Sequence, residues 1–453
     1  MRYIPHTEDD VRRMLAAVGV EAVDSLFACI PEALRLHRPL ALPAPLDEDS
    51  LTRHLAELSA RNTGSADRMS VFLGAGAYAH HVPAAVDQLL LRGEFFTAYT
   101  PYQPEVGQGT LQAIFEYQSM MAELLGVDVV NASMYDGATA TAEAVLMALR
   151  VARKRSRVLL SRAVHPEVRA TCRTYTSELE PPLEEVGLGP DGLTDFAALE
   201  RALDERVAAV VVQQPNALGC LEPLDRLAAL AHGKGAQLVV VVLEPVSLGL
   251  LQSPGALGAD IVTGEGMGLG TGLNFGGPGL GLFGASSKAV WQMPGRLVGQ
   301  TVDARGQAGY VLTMSTREQH IRRARATSNI CSNEGLCALA AAIHLGLLGK
   351  QGFTELARTN AANARAAAAR LCRVKGVSRA FPGPFFNEFA LRLPGGSLER
   401  ALTALAAEGI LGGLPLARFY PELADHLLVC VTELHTQDDV ERHAAALGRA
   451  LQG

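Results

Sequence analysis

The chain has 453 residues, 48% of them hydrophobic and 19% charged, with a formal net charge of −7. That length allows two to three domains and a sizeable core, and the modest negative charge without a basic block argues against nucleic acid or an anionic membrane as principal partner. Seven scattered cysteines (Cys29, Cys172, Cys220, Cys331, Cys337, Cys372, Cys430) include no close pair of the kind that clamps zinc, and the polar start MRYIPHTEDD is unlike a secretory leader, so a soluble cytoplasmic chain without a membrane span or metal is expected.

Thr7 and Asp10 have the spacing of a capping box, ahead of a stretch in which Val11, Leu15 and Val18 share one helical face. Residues 31–47, PEALRLHRPLALPAPLD, are proline-rich and read as an extended strap. Residues 1–65 are thus an arm and strap that offer little core of their own. From about 66 to 335 short apolar runs alternate with longer amphipathic stretches. Expected strands are 69–74, 156–161, 207–213, 237–243, 260–264 and 279–284, with helices between several of them at 138–153, 165–176 and 222–233. Runs of Val and Leu without polar alternation imply strands covered on both faces, hence an α/β domain with a mostly parallel central sheet. Residues 336–453 change to a helix at 352–371, strands at 386–393 and 426–431 and helices at 398–408 and 436–451, a smaller C-terminal α+β domain.

Several stretches invite a chemical reading. Gly74, Gly76 and Ala79 have dinucleotide-binding spacing, but Pro83 follows at once and no acid ends a following strand, so the fingerprint lacks its context. His80 and His81 read as packing or interface residues. Gly137, Ala138 and Thr139 open a helix whose free N–H groups suit a phosphate. Asp136 stands at the N-cap, however, and its carboxylate would take the same donors and repel a dianion. His165, Gln214 to Asn216 and Glu244 each follow a strand end, where ligands of open α/β sheets gather.

That layout resembles pyridoxal-phosphate enzymes of the aspartate-aminotransferase fold (fold type I). In these an aromatic or His stacks on the ring, an acid pairs with the pyridine nitrogen, and a lysine shortly afterwards holds the cofactor. The position for that lysine falls in GEGMGLGTGLNFGGPGLGLFG, residues 264–284, which has ten glycines and no lysine. Lys288, the nearest of five lysines, lies beyond the following strand. Gly137, Thr139, His165, Glu244, Met267 and Gly268 are therefore expected to be positions of a degenerate cofactor site.

FLGAGAYAHHVPAAV, FFTAYTPYQPEVGQGTLQAIFEYQ, LNFGGPGLGLF and the stretch from Pro294 to Asn333 resemble the glycine cleavage system P-protein family, in particular the alpha chain of its split form. The resemblance implies a chain that bears no catalytic residue itself and completes a beta subunit carrying the lysine and pyridoxal phosphate, in an α2β2 heterotetramer. Such a complex removes CO2 from glycine and passes the aminomethyl group to the lipoyl arm of H-protein. It also points to Asn329, Ser332 and Asn333, at an expected helix start, as residues reaching the partner's cofactor phosphate, and to Tyr99 and Tyr102 as lining the glycine pocket. A self-sufficient pyridoxal enzyme would need an amine in residues 264–284; a scaffold or regulator of the same fold is the remaining alternative.

Overall fold

The computed structural model describes residues 5–62, 69–179 and 183–452. The chain divides into two compact units, Met1–Thr63 and Gly64–Gly453; the expected boundary at 65/66 lies outside the described residues. In the first unit the Thr7 hydroxyl accepts from the Asp10 N–H and the Asp10 carboxylate from the Thr7 N–H, closing the capping box on the helix Glu8–Val18. A second helix, Glu48–Ala60, is capped by Asp47. The chain between them makes two short turns, Val23–Phe27 ahead of the strap and Glu32–Leu34 within it, and none of the four elements contains a buried residue.

The second unit is built on a seven-stranded sheet in the order Val129–Val130, Gly281–Ala285, Ile261–Glu265, Gln237–Val242, Val207–Gln213, Arg157–Ser161, Glu184–Val186. The last five run parallel, and Gly281–Ala285 is antiparallel to both its neighbours. Val207–Gln213 and Arg157–Ser161 are buried at every residue, as strands roofed by helices on both faces must be. One core cluster carries Val210, Val212, Val240 and Val242 and the other carries Val211, Val239 and Val241, so alternate side chains feed opposite layers.

Two expectations change. The apolar run at 69–74 is not a strand of this sheet: only Ser70–Val71 pairs, with Ile410–Leu411, and Phe72 belongs to the core of the smaller layer. Glu184–Val186, not among the expected strands, is only three residues long and carries two acids. They are accommodated at a sheet edge by Arg157, which donates to Glu184, and Arg169, which donates to Glu185.

The C-terminal layer is a four-stranded antiparallel sheet, Ser378–Arg379, Glu388–Arg392, His426–Cys430 and Leu414–Pro415, packed with the helices Leu398–Ala407 and Gln437–Gln452. It lies in the same compact unit as the large sheet. The helix Gly335–Leu371 is long and apolar enough, by length and composition, to cross a membrane. It is broken at Gly349 (φ 59), however, and feeds two cores, Cys337 to Ala357 the large one and Ala364 to Leu371 the small one.

Candidate functional site

The parallel strands end on one edge, and the helix Gly137–Ala152 begins there against the end of Ile261–Glu265. The approach is close: a Cβ on Gly264 would lie 2.1 Å from the Val242 carbonyl oxygen, and one on Gly137 2.9 Å from the Gly264 carbonyl carbon. Asp136 caps the helix, its Oδ1 accepting from the Thr139 N–H at 2.8 Å. The Gly137 N–H goes instead to Glu265. Its Oε2 accepts from Gly137 N–H (3.0 Å), and its Oε1 from Met267 N–H (3.0 Å) and Leu280 N–H (2.7 Å). Burial raises its pKa, and the three N–H groups oppose that rise. The N–H groups of Gly137 and Thr139 that suggested an anion cradle are therefore taken by two carboxylates of the chain itself.

Glu244, beyond the strand Gln237–Val242, is buried. Its Oε2 accepts from His80 Nε2 (3.0 Å) and Asn387 Nδ2 (2.6 Å), and its Oε1 from Val246 N–H (3.0 Å). His80 Nδ1 donates to Glu433 at 2.9 Å. Burial alone would lower the His80 pKa, but the Glu244 and Glu433 carboxylates prevail and raise it to about 10; Glu433, which burial alone would raise, is drawn down by His80 to about 2. His80 is thus a buried imidazolium held between two carboxylates, a more specific role than the packing expected of it. A Cβ on Gly268 would come within 3.1 Å of its ring.

The other residues beyond strand ends serve the backbone. His165 caps the helix Pro166–Tyr175, Nδ1 accepting from Glu167 N–H, and burial lowers its pKa. Its own N–H donates to Gln213. Gln214 accepts from Glu222 N–H, and Asn216 binds Gly192 O, Glu222 and the N–H groups of Leu218 and Cys220. Gln214 and Asn216 thus shape the turn rather than face a ligand. Gly74, too, is a packing glycine: a Cβ there would meet Glu388 Oε1 at 2.5 Å.

A cavity of about 730 Å³ beside the cradle is lined by Gly76, Tyr135, Asp136, Glu265, Met267 and the loop 273–279. The Tyr135 hydroxyl accepts from the N–H groups of Cys331 and Ser332, and Ser332 in turn lines a second cavity of about 210 Å³ together with Tyr99 and Asn333. The two segments singled out in the sequence are therefore brought together, by a residue that sequence reasoning missed. Arg296 is buried, and its guanidinium donates to Thr100 Oγ1 (3.2 Å), Asn333 Oδ1 (3.4 Å) and Tyr102 OH (2.9 Å). The only signal available for it was its place within the Pro294 to Asn333 stretch. Asn333 also donates to Ala132 O, while Asn329 is exposed and accepts from Gln319. The helix begins at Gly335 with Glu334 flanking it, two or three residues later than expected, because Glu334 N–H is taken by the Ser133 hydroxyl.

Sheet order and crevice define a fold-type I pyridoxal-phosphate transferase architecture, here with no lysine in residues 264–284. Its own site does not fit the cofactor: the loop has no amine, the N–H groups expected to suit a phosphate are taken by carboxylates, and Glu244, the acid expected for a ring nitrogen, is paired with His80. The chain belongs to the glycine cleavage system P-protein family, whose profile matches residues 1–447. It is 53% identical over 450 residues, 99% of this chain and 100% of the relative, to a protein of Anaeromyxobacter dehalogenans (strain 2CP-C) named "Probable glycine dehydrogenase (decarboxylating) subunit 1". A protein of the same name from Desulfitobacterium hafniense (strain DSM 10664 / DCB-2) is 50% identical over 453 residues, with 99% of each chain covered. Among solved structures, a glycine decarboxylase (P-protein) of the glycine cleavage system in inhibitor-bound form superposes with a TM-score of 0.88 at 47% identity, with 100% of both chains covered. The sphingosine-1-phosphate lyase Bpss2021 of Burkholderia pseudomallei K96243, 17% identical with a TM-score of 0.67 over 93% of this chain and 94% of its own, shares the fold.

Proposed function

We propose that this chain is the cofactor-free alpha subunit of a two-chain glycine decarboxylase. The observation that carries the reading is the conjunction of a full-length match to subunit 1 proteins with a cofactor site filled by Glu265, Asp136 and His80. In this reading pyridoxal phosphate sits on a lysine of the beta subunit and supplies the electron sink for loss of CO2 from glycine. The aminomethyl group passes to the lipoyl arm of H-protein, and the complex is an α2β2 heterotetramer of the cytoplasm. The alpha chain contributes across the interface. Tyr99 and Tyr102 line the glycine pocket, while Ser332, Asn333 and Asn329 reach toward the partner's phosphate. Arg296 keeps Tyr102 and Asn333 in register. The shared cavity of Tyr99, Ser332 and Asn333 and the fork of Arg296 support that grouping.

Co-purification with the beta chain followed by glycine/CO2 exchange tests the assembly, and borohydride reduction with peptide mapping tests where the cofactor is. The label is expected on a beta-chain lysine; a modified lysine in this chain would overturn the assignment. For the interface residues, Ser332→Ala with Asn333→Ala should speed cofactor dissociation from the complex. A fall in melting temperature with unchanged cofactor affinity would leave them only a folding role.

A further inference from the structure

Pyridoxal phosphate carries charge at two ends, an anionic phosphate and a protonated ring nitrogen. In this chain the Glu265 carboxylate stands on the N–H groups at a helix start and a loop, and the His80 ring stands on the Glu244 carboxylate. We propose that Glu265 and His80 are resident surrogates for the phosphate and the pyridinium, so that the site is shut by internal charge and not merely stripped of its lysine. The proposal rests on the reading that this chain carries no cofactor. Its test uses this chain alone and no turnover, so failure of one is distinguishable from failure of the other.

The donors around Glu265 come from three separate segments, the helix start at Gly137, the loop start at Met267 and the loop end at Leu280. Convergence of backbone N–H groups from different segments on one point is how proteins hold phosphate oxygens. Here a single carboxylate takes all three, and Asp136 takes a fourth at Thr139. A phosphate dianion would have to expel one fixed negative charge and sit beside the other. At the opposite end Glu244 has both oxygens engaged, and the cation on it is His80, whose other ring nitrogen is anchored to Glu433. Space is not the obstacle, since about 730 Å³ remains beside the cradle. Glu265 also clasps the two ends of the glycine-rich loop, through Met267 and Leu280, so the surrogate has a structural return: it closes the loop without a ligand.

The experiment uses the full-length chain with inorganic phosphate and imidazole as probes. Asp136→Ser with Glu265→Ala keeps a capping hydroxyl and removes both charges. Its melting temperature should rise by roughly 2–4 °C in phosphate relative to sodium chloride of equal ionic strength. The unmodified chain, with both carboxylates in place, should show no such difference. If the double variant does not fold in chloride, its refolding yield should rise in phosphate. For the ring half, His80→Ala should lose thermal stability and regain at least half of the loss in imidazole, which should leave the unmodified chain unaffected. A phosphate response equal in the unmodified chain and the double variant, or no response of the double variant in either melting or refolding, overturns the phosphate half. Absence of rescue by imidazole overturns the ring half.

Discussion

At the scale of single residues the site is governed by buried charge, and pH exposes it. Glu388 is buried, accepts from Ala75 N–H at 2.7 Å and Tyr78 OH at 3.0 Å, and is raised by burial, with Glu244 adding to the rise, to about 7. A folded pKa above the unfolded one means stability that is complete below the ordinary carboxyl range and lost as pH rises through about 7. His80, raised to about 10, adds the same sign of slope only above its ordinary value near 6.5, and Glu433, held at about 2, adds the opposite sign only below 4.5. Glu388→Gln, neutral at all pH and still an acceptor, should therefore be more stable relative to the unmodified chain at pH 8 than at pH 5. Urea midpoints at the two pH values measure this, and parallel curves would mean that Glu388 is not a neutral acid in the fold. Lys288, exposed in the turn Ser287–Gln292, should be dispensable. A drop of more than about tenfold in exchange by the complex after Lys288→Ala, about 1.4 kcal/mol, would contradict that. Asp136 was legible in the sequence because a cap is a local pattern of residue type and position. Glu265 and His80 were not, since Gly137 lies 128 residues from Glu265 and Glu244 lies 164 from His80, and only the folded sheet edge brings each pair together.

At the scale of elements, the long valine runs were legible because full burial leaves a continuous apolar stretch, whereas the edge pairs Val129–Val130 and Glu184–Val186 are too short or too acidic to stand out. The glycine-rich stretch was legible as a turn, but its purpose was not. Its glycines let the strand end and the helix start touch at Gly264 and Gly137, and the tip then runs through positive φ from Asn274 to Gly277. Phe275 is the telling residue: φ is 55 and the side chain is 106% exposed. A bulky residue in the left-handed region costs about 1 kcal/mol relative to glycine and gains nothing while its ring is in water. Burial of that ring in a partner would return about 1.5–3 kcal/mol. Phe275→Gly should thus leave the isolated chain as stable or slightly more stable, while weakening association with the beta subunit by about tenfold or more. Thermal melting of the chain alone and titration of the two chains separate these effects. Loss of stability without loss of affinity would make Phe275 a folding residue instead.

At the scale of the whole chain, the two units differ in what they bury. The buried core clusters draw only on residues from Phe72 onward. The first unit instead exposes Met14, Val18, Leu26, Phe27, Leu34, Leu40, Leu42 and Leu55, each at least 45% accessible. The proline pattern of residues 31–47 made the strap legible, and an amphipathic repeat such as Val11, Leu15, Val18 made the helix legible; neither pattern says what lies against the apolar side, because that surface is supplied by something other than the element itself. Apolar side chains exposed in such number fit an interface, and a permanent one buries more than about 2,000 Å². Within the proposed complex the occupant is the beta subunit. Removing residues 1–62 takes no side chain from the core clusters, so the shortened chain should still melt cooperatively. It should no longer gain stability on addition of the beta chain, whereas the melting temperature of the full-length chain should rise with beta-chain concentration. Calorimetry of both chains with and without partner reads the difference directly. Equal stabilisation of the shortened and full-length chains would show that the arm is not the principal interface.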